Sequence, residues 1–279
     1  MSQRPRWVTQ VAGWGGVALL AFVVTVVGVV RHSPLIRLDG AVRDFTVLHR
    51  TDTGFALFSL ITWFGTFSVM GPALLVVGAV VSWVRRSLAP FLVCASAVLL
   101  LGSTVGLGKL VIDRRRPPIS PGLALAEDGS FPSGHTTTSV VVGFVLLLLL
   151  DQRLSRRGRR VGLALLVLFT ALIGTSRVYL GVHWFTDVLG GWLLGSALTA
   201  VLALGWWAGQ PETRSRAEGR APGLLAPAAA ASDPDPVPPR GRAPHAPSGA
   251  PTGRRLRDRF GTTPAGEGPR DPHAEGAPS

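Results

Sequence analysis

The 279-residue sequence is poor in the residues that cross-link or solvate an ordinary globular domain. It has one cysteine, Cys94, which excludes an internal disulfide, and no Cys/His cluster with metal-ligand spacing. Charged residues make up 16% of the chain, against roughly 25% in soluble domains. These shortages exclude a disulfide scaffold and a zinc module, and they argue against a water-soluble protein. No metal and no organic cofactor is expected.

Acidic residues and lysine are also scarce. There are 16 Asp and Glu against 28 Lys and Arg, which gives a net charge of +12, and Lys109 is the single lysine. A basic excess can indicate nucleic-acid binding. Here it accompanies a positive mean hydropathy of +0.36, so we expect membrane lipids as partners and no nucleic acid.

Long apolar runs are abundant. A helix needs about 20 mostly apolar residues to cross a bilayer. Six runs approach or exceed that length, at residues 11–30, 56–84, 88–108, 135–150, 161–179 and 184–207. They predict an all-α integral membrane protein with six transmembrane helices. Gly71 and Pro72 predict a kink in the second run, and the polar start of the fourth run, Thr136 to Ser139, predicts a helix end that faces a water-filled cavity.

Two segments outside these runs differ in composition. Residues 34–50 form either an amphipathic helix lying in the membrane interface or a polar loop. In the helical interpretation, the apolar face holds Leu38, Val42, Phe45 and Leu48, and the wet face holds Arg37, Asp39, Arg43 and Asp44. Residues 211–279 contain 14 Pro and 9 Gly, a composition that cannot bury a core. We therefore predict a membrane domain over residues 1–210 and a disordered cytoplasmic tail over 211–279.

The basic residues predict how the bundle sits in the cell membrane. Five arginines lie within the ten residues 151–160, and the N-terminus and the 84–88 connection are also basic. Short basic connections favour the cytoplasmic side. Both termini are therefore expected in the cytoplasm, which places the 109–134 and 177–183 connections outside. The cations of KLVIDRRRPP, residues 109–118, then lie on the side where the orientation rule does not favour them, which points to function.

Three segments are expected to meet on that outer face, at residues 109–117, 132–135 and 176–187. Their residue types are those that bind phosphate. Lys109, Arg116 and Arg177 supply positive charge and directed donors. Ser133 and the backbone N–H of Gly134 lie near a helix N-terminus, where anions are favoured.

Two histidines in the same segments add reactivity. His183 and Asp187 are four residues apart, a spacing that stacks their side chains on one helix face. Asp187 could then orient His183 as a nucleophile, while His135 serves as general acid for the leaving oxygen. Phosphoryl transfer needs little more than these groups and the surrounding positive charge.

The pattern K-x6-RP, then PSGH, then SR-x5-H-x3-D resembles the three-part signature of the type 2 phosphatidic acid phosphatase superfamily, and every fixed position matches. The resemblance covers residues 109–187. It implies a six-helix membrane phosphatase that acts through a phosphohistidine on His183, with Asp187 orienting that ring and His135 as general acid. It also implies a phosphate site, made of Lys109, Arg116, Ser133, Gly134 and Arg177.

The motifs leave the substrate open. A polyprenyl diphosphate such as undecaprenyl diphosphate is the first choice for a bacterial protein, with phosphatidic acid and phosphatidylglycerol phosphate as alternatives. Two alternatives belong to another class. One is a vanadium-dependent haloperoxidase, for which the resemblance implies a similar anion pocket, and the other is a non-catalytic binder of lipids or anions. The six spans and the short 118–131 connection argue against the haloperoxidase. The roles of Arg114 and Arg115, as headgroup contacts or membrane anchors, also stay open.

Overall fold

The computed structural model describes residues 6–118 and 129–209, and all regular structure in these residues is helical. The long helices are α1 (Arg6–Val30), α4 (Phe67–Arg85), α5 (Ala89–Ile112), α7 (Arg156–Tyr179) and α8 (Phe185–Ala208). The shorter ones are α2 (Arg37–Leu48), α3 (Asp52–Trp63) and α6 (Gly134–Leu150), with 3-10 turns at Pro34–Ile36 and Asp151–Arg153. The predicted tail, 211–279, lies outside the described residues, as does most of the 118–131 connection.

Five segments are long and apolar enough to span a membrane, and α6 is a shorter apolar helix of 17 residues. Together they correspond to the six predicted runs, so the all-α membrane fold is confirmed. Large apolar side chains on these helices point outward, including Trp14, Leu20 and Val76, each more than 60% exposed. An apolar outer surface is what lipid tails, rather than water, would cover.

The second run contains two helices, α3 and α4, separated by a short turn. α3 ends at Trp63 and α4 begins at Phe67, and α4 continues through Pro72, where a kink was predicted. Between these two helices, the N–H groups of Phe64, Gly65 and Thr66 bond to carbonyls three residues earlier, which closes a tight turn. This break directs the two threonines beside it, Thr62 and Thr66, toward the bundle interior.

The 34–50 segment is helical from Arg37 to Leu48, which decides between the helix and loop interpretations. Leu38, Phe45 and Leu48 are exposed, as an interfacial helix requires. Asp39 was placed on the wet face, and that assignment is wrong because the residue is only 2% exposed. Its carboxylate is buried because donors from two other segments bond to it, as described below.

α8 lies at the centre of the bundle and packs most extensively on α1 and α6. The central core comes from α4, α5, α6 and α8, and includes Leu74, Leu101, Val141, Val145 and Leu198. Glycines allow α6 and its preceding turn to approach α8 closely. A Cβ built on Gly191 would lie 2.9 Å from the Ser133 carbonyl oxygen, and one on Gly195 would lie 2.8 Å from Val140 Cβ. This approach fixes the PSGH turn against the start of α8.

The polar start of α6 does not line a water-filled cavity, contrary to the prediction. Thr136, Thr137, Thr138 and Ser139 are all less than 2% exposed. Three of these hydroxyls bond locally: Thr136 Oγ1 donates to Ser133 Oγ at 3.1 Å, Thr137 Oγ1 to the Ser133 carbonyl at 2.9 Å, and Ser139 Oγ to the Thr136 carbonyl at 2.8 Å. Because α6 and the residue before it satisfy these three hydroxyls, the start of the helix can pack against α8.

Candidate active site

The side chains of His183 and Asp187 meet, as their spacing predicts. His183 follows the turn after α7 and lies two residues before α8, whereas Asp187 is in the first turn of α8. His183 Nδ1 lies 3.3 Å from Asp187 Oδ2, and both side chains are almost fully buried. The same carboxylate oxygen accepts the Trp184 N–H at 3.0 Å. A carboxylate at a helix N-terminus is stabilised there by the helix dipole.

The turn that presents His183 depends on Gly181. Its φ is +74°, a left-handed conformation that favours glycine. Beyond it, the backbone N–H groups of Val182 and His183 both bond to the Arg177 carbonyl at the end of α7. His183 and Arg177 are therefore positioned by one compact turn.

The second ring nitrogen of His183 faces a cation. Arg116 Nη1 lies 3.3 Å from His183 Nε2 and also donates to the Val182 carbonyl at 2.9 Å. A guanidinium has donors only, so Nε2 accepts and the ring proton resides on Nδ1, facing Asp187. This tautomer leaves the Nε2 lone pair on the side of the basic residues.

Burial lowers the pKa of His183 from its ordinary 6.5 to about 4. The charges of Arg177 and Arg116 act in the same direction, whereas the hydrogen bond and negative charge of Asp187 oppose the shift. Desolvation disfavours the charged imidazolium. His183 is therefore neutral at physiological pH, which is the protonation state of a nucleophile.

The PSGH turn lies beside this pair. The Ser133 N–H donates to the Asp187 carbonyl at 3.0 Å. Ser133 precedes α6 but does not cap it with its side chain, and its hydroxyl instead accepts from Thr136 Oγ1 at 3.1 Å. Gly134 and His135 form the first turn of α6, where backbone N–H groups can receive an anion. His135 Nε2 lies 3.2 Å from Thr66 Oγ1.

Lys109 and Arg177 complete the predicted cluster. The end of α5 packs on the PSGH segment, since a Cβ on Gly108 would lie 2.8 Å from Pro132 Cδ. Electrostatic coupling links the His135 ring to four other site residues, Lys109, Arg116, Arg177 and His183. Arg177 Nη1 donates to Thr62 Oγ1 at 2.7 Å, and the buried Arg177 Nε has no hydrogen-bond partner among the described residues. Each predicted site residue therefore lies in one region at the same end of the bundle.

The structure adds a network that the motifs did not indicate. Arg114, for which the sequence allows either a headgroup contact or a membrane anchor, is a partly buried bridge between two carboxylates. Its Nη1 donates to Asp187 Oδ1 and its Nη2 to Asp39 Oδ2, both at 2.6 Å. Arg115, the neighbour, is exposed, and its carbonyl accepts from Trp184 Nε1 at 2.9 Å. Sequence spacing could not reveal these contacts, because Asp39 and Arg114 are 75 residues apart.

A cavity of about 160 Å³ lies beside His183, and α2 forms one of its walls. Arg43 and Arg50 of the α2 region line it together with Asp39, Gly181 and His183. Its cationic lining extends the positive surroundings of the histidine.

Comparison with known proteins places this geometry in a family. The PAP2 superfamily model matches residues 88–210, a range that contains all eight predicted site residues. Phosphatidylglycerophosphatase B of Bacillus subtilis is 30% identical over 187 residues, which cover 65% of this chain and 90% of that protein. The chain belongs to the PAP2 superfamily. The resemblance inferred from the three motifs, to the type 2 phosphatidic acid phosphatases, is thereby confirmed.

Two further comparisons support the fold and the reaction. The crystal structure of a transmembrane PAP2 type phosphatidylglycerolphosphate phosphatase from Bacillus subtilis superposes with a TM-score of 0.63 at 26% identity, covering 71% of this chain and 98% of that one. An undecaprenyl-diphosphatase of Sulfolobus acidocaldarius is 44% identical over 69 residues, 25% of this chain and 30% of that protein. The protein is thus a multi-pass membrane PAP2 phosphatase, a phosphoric ester hydrolase.

Proposed function

We propose that this PAP2 protein removes the terminal phosphate of a membrane lipid through a phosphohistidine on His183. The observation that carries the proposal is the state of that ring: it is neutral, its Nδ1–H faces Asp187, and its Nε2 lone pair faces the basic cluster. Asp187 would hold the tautomer and stabilise the charge that develops on the ring.

In the first step, His183 Nε2 attacks phosphorus and the bond from phosphorus to the lipid oxygen breaks. His135, on α6, is protonated in the complex because the negative charge of the bound phosphate favours the imidazolium, and it donates the proton that the leaving oxygen needs. In the second step, water attacks the phosphohistidine opposite Nε2, gives a proton back to His135 and releases inorganic phosphate. The lipid leaves as an alcohol when the substrate is a monoester, or as a monophosphate when it is a diphosphate.

Five residues would hold the phosphate oxygens during both steps. Arg116 and Arg177 can donate as planar forks, and Lys109 as a compact charge. The N–H groups of the first turn of α6, with Ser133 and Gly134, face the same region with a favourable helix dipole. The buried Arg177 Nε, which lacks a protein partner in the described residues, is a donor that a phosphate oxygen would satisfy.

The relatives support two substrates. The match over 90% of a phosphatidylglycerophosphatase favours phosphatidylglycerol phosphate. The shorter match to an undecaprenyl-diphosphatase, at higher identity, favours the polyprenyl diphosphate expected from the sequence. The shared chemistry is a terminal phosphate on a lipid, which can reach the site by lateral diffusion in the membrane.

The test is phosphate release in detergent from phosphatidylglycerol phosphate, undecaprenyl diphosphate and phosphatidic acid, with and without EDTA. We expect wild-type turnover of at least one lipid, unaffected by EDTA. His183→Ala should abolish it, whereas His49→Ala, at an exposed histidine outside the site, should not. Equal release by wild type and His183→Ala would refute the mechanism, and loss of activity with EDTA would refute its independence of metal.

A further inference from the structure

The buried carboxylate of Asp39 connects helix α2 to the proposed nucleophile. We infer that Asp39, acting through Arg114 and Thr186, is a positioning residue for the His183–Asp187 pair. This inference rests on the proposed function, because it assigns Asp39 to the support of the proposed nucleophile. Neither the three motifs nor the family segment at residues 88–210 includes Asp39.

The Asp39 carboxylate accepts three hydrogen bonds. Its Oδ1 accepts the backbone N–H of Thr186 at 2.8 Å. Its Oδ2 accepts from Thr186 Oγ1 at 2.7 Å and from Arg114 Nη2 at 2.6 Å. The side chain is 1% exposed. A carboxylate at this depth is retained only when donors satisfy it, and all three donors come from the segments that surround His183.

Arg114 transmits this anchoring to Asp187. While one of its terminal nitrogens holds Asp39, the other donates to Asp187 Oδ1 at 2.6 Å and to Thr186 Oγ1 at 2.7 Å. Its guanidinium also lies 5.5 Å from the Trp184 ring centroid. Asp187 is thus held through both oxygens, with Oδ1 on Arg114 and Oδ2 on the Trp184 N–H, while Oδ2 also faces His183 Nδ1. A lysine could not bridge both carboxylates in this planar geometry.

The charges explain how the second carboxylate, Asp39, would affect the reaction at His183. Arg114 divides its positive charge between Asp39 and Asp187, so the trio carries one net negative charge beside the His183 ring. That ring becomes positively charged when phosphorylated. If Asp39 were neutral, Arg114 would pair with the Asp187 carboxylate alone. The stronger pairing would reduce the attraction of Asp187 for the Nδ1 proton of His183 and its stabilisation of the phosphohistidine.

The test compares Asp39→Asn with Asp44→Asn, a control on the same helix whose carboxylate is 66% exposed. On whichever lipid the wild type hydrolyses, we expect Asp39→Asn to lower kcat by about 10- to 100-fold with KM little changed, and Asp44→Asn to leave both unchanged. Arg114→Lys should behave like Asp39→Asn, and Arg115→Lys, at the exposed neighbour, like wild type.

A double-mutant cycle separates positioning from general destabilisation. If Asp39 acts through Asp187, adding Asp39→Asn to Asp187→Asn should cost little further kcat, because the interaction is already lost. Multiplicative losses would overturn the inference, as would an Asp39→Asn enzyme with wild-type kcat. Should Asp39→Asn fail to fold, as judged by size-exclusion chromatography, the same cycle with Thr186→Val decides. Activity that survives His183→Ala would instead refute the proposed function itself.

Discussion

At the scale of single residues, the protonation state of His183 links the site to pH. The folded protein keeps this ring neutral down to about pH 4, whereas an ordinary histidine takes up its proton near 6.5. Because kcat/KM reports the ionisations of the free enzyme, the acid limb that belongs to His183 should lie near pH 4. Between pH 6.5 and 4 the unfolded chain binds the extra proton, so stability falls as the pH is lowered through this window.

The measurement is kcat/KM and the unfolding temperature in detergent from pH 3.5 to 8, with the titration of the substrate phosphate determined separately and divided out. His49→Gln, at an exposed histidine, should leave the enzymatic profile unchanged. An acid limb that remains near 6.5 after this correction would show that His183 titrates normally and is not desolvated as the structure indicates.

At the same scale, the spacing of residues along the chain determines which contacts of the site the sequence can predict. Motif spacings, which are local within each of the three segments, predicted eight site residues, and the structure brings them into one region: Lys109, Arg116, Ser133, Gly134, His135, Arg177, His183 and Asp187. Asp39, Thr62 and Thr66 were missed because their contacts join residues 147, 115 and 69 positions apart. Arg114 was seen in the sequence, but its bridging role depends on where α2 docks, which helical periodicity cannot predict.

At the scale of helices, the close approach of α6 and α8 positions the PSGH turn. Gly191 lies against the Ser133 carbonyl and the Thr136 Cβ, each 2.9 Å from a built Cβ. Gly191→Ala should therefore force the helices apart and destabilise the fold by about 1–3 kcal/mol. Because the Ser133 N–H bonds to the Asp187 carbonyl, kcat/KM should fall as well.

Gly205→Ala provides the matched control on the same helix, because a Cβ at Gly205 meets nothing within 4 Å. Thermal unfolding and kcat/KM measured side by side should separate the two variants. If Gly191→Ala unfolds at the wild-type temperature with full activity, the close helix contact does not support the site.

Helix-scale prediction from sequence succeeded where composition alone decides. Runs of about 20 apolar residues gave all six apolar segments, since length and hydropathy are properties of each segment. The break between α3 and α4 was not predicted, and the burial of Asp39 was mispredicted. Both depend on partners elsewhere in the bundle: Thr62 and Thr66 contact Arg177 and His135 from beside the break, and Arg114 and Thr186 satisfy Asp39.

At the scale of the whole molecule, the remaining prediction is its orientation in the membrane. The proposed site and the arginines at the start of α7 lie at opposite ends of α7, since Arg177 is in its last turn and Arg157 in its first. If the basic connections face the cytoplasm, the site faces outward. A phosphatase in this orientation acts on lipid phosphates in the outer leaflet.

Single cysteines can test this arrangement in intact cells. Cys94 is fully buried, and replacing it with alanine gives a background without thiols. In that background, a membrane-impermeant maleimide should label His49→Cys, an exposed position after α2. It should label Arg157→Cys, an exposed position in the first turn of α7, only after the cells are permeabilised. The reverse labelling pattern would place the site in the cytoplasm and restrict its substrates to the inner leaflet. Phosphate release by both variants must match the background protein, because only a folded bundle reports its orientation.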